Sequence, residues 1–245
     1  MDLKLNGKKA LVFGSSTGIG RAIAESLMTE KADVLVNSRD SERLDKTVSE
    51  LNAHGGVTAD LTLKGHAEKA TREAIEKLGG LDILVVNTGG PAKGAFADIT
   101  TEQWEKDFQN LWLSFVDAVK VALPVMKKQG YGRILVVTSL AAKEPLPLLT
   151  TSNGLRSGLA GLCKSLANEV AADGITVNLL LPGYTNTDRL KDLKLSEEKV
   201  KQMVPAGRLG DPCELADLAT FLASPKAGYI TGQSIAVDGG VLRGF

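Results

Sequence analysis

A turn built on three glycines does most to limit what this chain can become. The run Lys9-Ala10-Leu11-Val12-Phe13 passes straight into Gly14-Ser15-Ser16-Thr17-Gly18-Ile19-Gly20. Ile19, Ile23 and Leu27 then recur at intervals of four, which makes one apolar stripe on a helix. Strand, glycine turn and helix in that order place backbone N–H groups at a helix N-terminus, where they favour the negative charge of a pyrophosphate. Gly14, Ser16, Thr17, Gly18, Ile19 and Gly20 are therefore expected to cradle a nucleotide.

The rest of the chain repeats the alternation. Short apolar runs at 34–36, 57–59, 83–86, 133–137, 176–181 and 234–237 read as strands two to seven. Runs apolar on both faces predict a parallel sheet covered by helices on either side. Thr100 followed by Gln103 predicts a capping box that opens a long helix towards Gln129. Asp211-Pro212-Cys213-Glu214 predicts a second capped start, and Gly130 and Gly174 mark helix ends. No linker or repeat divides the chain. The expected fold is a single α/β domain over residues 1–245, a Rossmann-type doubly wound sheet of about seven strands.

Composition narrows the partners. The 29 basic and 29 acidic residues cancel, so no basic excess points to nucleic acid or an anionic membrane. No apolar run approaches the ~20 residues that span a bilayer. Cys163 and Cys213 lie far apart, and His54 and His66 have no metal-ligand spacing. The expectation is a reduced, cytoplasmic chain without a metal.

With these motifs in place, the chain resembles the short-chain dehydrogenase/reductase family along essentially its whole length. The G-x-x-x-G-x-G spacing is similar to that family's. So are Asn87-Thr88-Gly89-Gly90, the loop Pro182-Gly183-Tyr184-Thr185-Asn186-Thr187, and the segment Gly232 to Gly240. Among subfamilies it looks closest to 3-oxoacyl-carrier reductases and related ketone or sugar-alcohol enzymes. The resemblance implies a nicotinamide dinucleotide, with Asp60 and Leu61 flanking the adenine. It also places Asn87 and Gly89 along the cofactor, and Thr187 on the carboxamide beside Pro182 and Gly183. Ser38 stands where an acid would hold the ribose of NAD, and Arg39 follows it. A guanidinium can fork a 2′-phosphate, so NADP(H) is expected over NAD(H), with Asp40 as the counter-indication.

The family's catalytic set is an Asn, a Ser and a Tyr-x-x-x-Lys pair. Asn110 and Ser139 match the first two. Ser152 and Arg156 occupy the positions of Tyr and Lys. A Ser hydroxyl is a far weaker acid than a phenol and reaches ~4 Å less, whereas proton transfer needs contact at ~2.6–3.2 Å or one bridging water. Arg156 can still bond ribose hydroxyls, but its pKa above ~12 bars it from relaying protons. Lys143, four residues past Ser139, and Tyr184 are alternative proton donors, as are Ser152 itself and water. The reading is an NADP(H)-dependent oxidoreductase of a small carbonyl or alcohol substrate with a non-standard proton donor. Its alternative is a catalytically impaired dinucleotide-binding sensor or scaffold. Lyase or isomerase chemistry in the same pocket stays open. Trp104 and Trp112 on the long helix read as interface or core residues rather than ligand contacts, and the family's habit implies a homotetramer or homodimer. The charged stretch from Leu190 to Val204 reads as a lid over the substrate.

Overall fold

The computed structural model describes residues 1–191 and 196–244. Part of the stretch read as a lid, 192–195, lies outside the described residues. Seven strands form one parallel sheet: β1 Lys9–Val12, β2 Asp33–Ser38, β3 Gly55–Thr58, β4 Ile83–Asn87, β5 Gly132–Val137, β6 Ile175–Pro182 and β7 Ser234–Val237. Their order across the sheet is β3-β2-β1-β4-β5-β6-β7. The order reverses between β1 and β4, which pair in parallel through Ala10 with Ile83 to Val12 with Val85. That reversal opens a crevice at the carboxyl ends of the two strands, where doubly wound sheets bind ligands.

The apolar strands serve two cores because successive side chains point to opposite faces. Leu11, Phe13, Leu84, Val86, Ile134 and Val136 face one way, onto helices α3 (His66–Leu78), α5 (Ser114–Gln129) and α6 (Thr150–Val170). Ala10, Val12, Val34, Ile83, Val85 and Leu135 face the other way, onto α1 (Gly18–Thr29) and the helix Pro212–Ala223. In the predicted stripe of α1, Ile23 and Leu27 are fully buried. Ile19, nearer the turn, is half-buried and lines the crevice instead. The short helix α2 (Ser41–Leu51) covers the β2–β3 edge. Gly130 and Gly174 adopt φ of +63° and +74°, the left-handed stops expected of them.

The long helix departs from expectation in two ways. Thr100 does accept from the Gln103 N–H at 3.3 Å. The Gln103 side chain, however, turns away from the cap and donates to the buried Asp107 at 2.9 Å, so only half the capping box forms. The helix is also not uniform. An α-helical stretch, α4 (Thr101–Phe108), runs into a π-helical turn over Gln109–Leu113 before α5 begins. Such turns insert one extra residue and leave a main-chain carbonyl without its usual partner.

The second predicted cap is complete. Asp211 accepts from the Cys213 N–H at 2.9 Å, and Glu214 accepts from the Asp211 N–H at 2.7 Å. Glu214 also takes both guanidinium nitrogens of Arg208, at 2.8 and 2.7 Å. The Arg208 pair, and then the Asp211 N–H, pull the Glu214 carboxyl down to about 2. A depressed carboxyl stabilises the fold above its ordinary value of 4.5, and that contribution is lost as pH falls towards about 2. Thermal melts of wild type and Glu214→Gln should therefore differ at neutral pH and converge as pH falls through this window. A gap that stays constant across the window would show that the charge of the capping carboxylate contributes nothing.

Candidate active site

The crevice is a cleft of about 1010 Å³. Its floor is the turn after β1. Gly14 and Gly18 hold φ of +59° and +56°, where a side chain would be strained. Gly20 is needed for a different reason: a Cβ there would lie 2.2 Å from the Gly14 carbonyl oxygen and 2.6 Å from Asn87 Nδ2. Helix α1 therefore sits directly on the turn. Its first turn carries no acidic residue, so its N-terminus faces the cleft as bare positive dipole. A glycine cradle that a Cβ would fill, at a helix N-terminus and the sheet's reversal point, fits a dinucleotide pyrophosphate.

Two asparagines hold the turn in place. Asn87 at the end of β4 donates to the Gly14 carbonyl at 3.0 Å. The buried Asn37 of β2 accepts from the Gly14 N–H at 3.0 Å and donates to the carbonyls of Val57 and Ala59 at 3.0 and 3.3 Å. Its main chain exchanges bonds with Ser15, the Ser15 hydroxyl accepting at 2.8 Å and the Ser15 N–H donating at 3.2 Å. One side chain thus ties β1, β2 and β3 together beneath the turn. Neither Asn37 nor Ser15 was expected in this role. A buried-strand position filled by a polar residue directly after the apolar run 34–36 was the available signal.

At one end of the cleft lie Ser38, Arg39, Asp60 and Leu61, joined by Arg43 from α2. Asp40 serves as the N-cap of α2 and accepts from the Arg43 N–H at 2.7 Å. Burial raises the Asp60 carboxyl, but the Thr62 N–H and hydroxyl and the charge of Arg39 outweigh it and leave it below its ordinary value. Asn87, Gly89, Pro182, Gly183 and Thr187 line the middle of the cleft. The Thr187 methyl packs against Gly18, 3.4 Å from where a Cβ would stand.

The candidate catalytic residues gather at the other end. Asn110, Ser139, Ser152 and Arg156 all line the cleft, as does Tyr184. Asn110 lies inside the π turn, is buried, and donates from Nδ2 to the Gly89 carbonyl at 3.0 Å. The Ser114 hydroxyl donates to the Asn110 main-chain carbonyl. Ser139 caps a single 3-10 turn, Leu140–Ala142, and accepts from the Ala141 N–H at 3.2 Å. Ser152 and Arg156 sit one turn apart on α6, both buried. Arg156 Nη1 donates to the Val137 carbonyl at 3.4 Å. Lys143 does not join this group: it is exposed and lies outside the cleft lining. Its neighbour Glu144 is engaged elsewhere, accepting from the N–H groups of Arg243 and Gly244. Gly20 likewise supports the cleft from below without lining it.

A family profile described as Enoyl-(Acyl carrier protein) reductase matches residues 14–242. This chain is a short-chain dehydrogenase/reductase. It is 38% identical to rabbit (Oryctolagus cuniculus) Dehydrogenase/reductase SDR family member 4, covering 96% of this chain and 94% of that protein. It is 36% identical to the 3-oxoacyl-[acyl-carrier-protein] reductase FabG of Vibrio cholerae, covering 98% and 99%. Among solved structures it superposes on an NADPH-bound short chain oxidoreductase from Pseudomonas aeruginosa PAO1, described as containing an atypical catalytic center. That match has a TM-score of 0.91 and 30% identity, and covers 98% of this chain and all of the other. The expected fold and family hold, and the chain is an oxidoreductase of the short-chain dehydrogenase/reductase type.

Within that family the glycine floor can be tested directly. Gly20→Ala should cost ~1–3 kcal/mol of stability, as overpacking does, and should abolish dinucleotide binding seen by calorimetry. Wild-type affinity in the variant would show that α1 can retreat from the turn.

Proposed function

We propose that the chain is an NADP(H)-dependent reductase or dehydrogenase of a small ketone/alcohol pair, working without a phenolic proton donor. The observation that carries this reading is the burial of Ser152 and Arg156 in the same cleft wall as Ser139 and Asn110. When bound, the dinucleotide supplies or accepts the hydride. The protein's share is orientation and charge. Arg156 is permanently protonated and is placed to hold nicotinamide-ribose hydroxyls and to stabilise negative charge developing on the substrate oxygen. Ser139 and Ser152 orient that oxygen. The proton reaches it from the Ser152 hydroxyl, which cleft water re-protonates.

Position 156 also changes the proton path. The family's pattern has a Lys there, and an Arg cannot pass a proton. Inside the π turn the Ser114 hydroxyl takes one of the two lone pairs of the Asn110 carbonyl. The exposure of Lys143, outside the cleft lining, argues against it as a replacement.

Preference for NADP(H) rests on Arg39 and Arg43 at the adenosine end and on the commitment of Asp40 to its cap. The NADPH-bound Pseudomonas relative is consistent with this. As for assembly, Phe108 and Trp112 stack on the outer face of α4 and the π turn, with ring centroids 5.7 Å apart. The Trp112 ring also presses on Gly158 of α6, 2.9 Å from where a Cβ would stand. This shared apolar face suits a homodimer or homotetramer.

Binding and turnover should separate cleanly. Arg39→Ala should lower NADPH affinity about tenfold and leave NADH affinity nearly unchanged, as loss of one charged phosphate contact implies. Ser139→Ala should keep NADPH affinity while kcat on any accepted ketone falls ~10²–10³-fold. NADPH binding with no turnover across a broad ketone and alcohol panel would count against the enzyme reading. Absence of binding would remove the cofactor assignment.

A further inference from the structure

The outer end of the cleft, beyond Asn110 and Ser139, is lined by two lysines that the chemistry above does not use. Lys106 lies on α4 four residues before Asn110, one helical turn further out. Lys93 lies in the loop after β4, four residues past Gly89, which accepts the Asn110 side chain. Both are exposed, and both line the cleft. Among the described residues neither ammonium has an ion-pair or hydrogen-bond partner.

The loop that presents Lys93 is fixed on both sides of that residue. The Ala92 N–H donates to Asp107 at 3.1 Å, and the Ala92 carbonyl accepts from the Thr151 hydroxyl at 3.4 Å. Asp107 and Thr151 are both buried. On the other side, the Gly94 N–H donates to the Leu148 carbonyl at 2.9 Å, and the Gly94 carbonyl accepts from the Thr150 hydroxyl at 3.2 Å. Gly94 and Leu149 form an isolated parallel bridge. A solvated loop lysine needs no such bracing. Four bonds that anchor its two neighbours hold its backbone, and so the origin of its side chain, at the rim.

The inner part of this end is apolar, lined by Leu140, Leu146 and Leu149. The Asp107 carboxylate also lines this end; the Ala92 N–H and the Gln103 amide each donate to one of its oxygens and hold it against α4 and the loop.

We infer that Lys93 and Lys106 are specificity-determining residues that select a carbonyl substrate bearing a carboxylate, separated from the reacting carbon by a short apolar segment lying over Leu146 and Leu149. The inference rests on the reading of the cleft as a carbonyl-reducing site. Two exposed ammonium groups each add a modest attraction, and together they should give selectivity of about tenfold at low salt.

The test uses the NADPH-loaded protein and matched pairs: 3-oxo carboxylates of increasing chain length and their methyl esters. Binding is read by calorimetry, so it does not depend on turnover. The expected result is that the acids bind about tenfold tighter than their esters, with the difference shrinking as salt rises. Lys93→Ala/Lys106→Ala should bring acid and ester affinities together while NADPH affinity stays as in wild type. Where turnover is measurable, the double variant should raise KM for the acids and leave kcat unchanged. Equal affinity of acids and esters in wild type would overturn the inference, as would an acid preference that survives the double substitution. So would NADPH binding with no acid bound. Failure to bind NADPH at all would instead overturn the reading of the cleft.

Discussion

Everything on the functional side of this fold depends on how closely α1 can approach the end of β4. The contact is made by backbone. The Gly14 carbonyl sits under Gly20 and accepts from Asn87, so turn, helix and neighbouring strand meet where no Cβ fits. Asn37 completes the arrangement from the other side by taking the Gly14 N–H. The N–H and the carbonyl of Gly14 are thereby assigned before any ligand arrives. A pyrophosphate then meets a preorganised set of N–H groups and a helix dipole, and little ordering entropy has to be spent on binding. The parallel order of β1 and β4 brings these parts together, which is why the glycines have meaning only in this topology.

The π turn plays the corresponding part at the catalytic end. One extra residue in the helix turns Asn110 inward to the Gly89 carbonyl and detaches its own carbonyl from the helical ladder. That carbonyl needs a partner in a buried place, and Ser114 supplies it from one turn further on. In the proposed reaction, Arg156 in place of a lysine shifts the burden from proton relay to electrostatics. A guanidinium in the cleft wall, one turn from a hydroxyl, is suited to that burden: it cannot lose its charge whatever the pH of the cleft.

The strands and the nucleotide turn were legible in the sequence because each rests on a local rule. Apolar runs of four to eight residues bracketed by turn residues identify buried parallel strands, and β7 falls on the residues expected of it. The complete cap at Asp211 was legible for the same reason, since all its partners lie within four residues. The half-formed cap at Thr100 was not, because Gln103 had a competing partner, Asp107, on the next turn. Lys143 shows the limit more sharply. Spacing from Ser139 puts it in the right loop, but it follows the 3-10 turn over Leu140–Ala142 as an exposed residue outside the cleft lining. Asn37 was hidden for the opposite reason. All of its bonds but one run to residues 20 or more positions away, and no periodicity reports them.

The two ends of the cleft obtain positive charge by different physics. At the adenosine end it comes from Arg39 and Arg43, flanked by Asp60, which stays ionised because Thr62 and the Arg39 charge outweigh its burial. That balance permits a phosphate yet keeps the site from being a bare cationic patch. At the substrate end Arg156 is buried in the wall, and Lys93 and Lys106 stand at the rim in solvent. A buried guanidinium acts strongly at short range in a poorly screened setting, whereas rim ammonium groups act weakly and over no more than a Debye length. The first is suited to stabilising charge as a bond changes, and the second to choosing which molecule arrives. The division follows from depth: the buried charge is poorly screened and the rim charges are solvated.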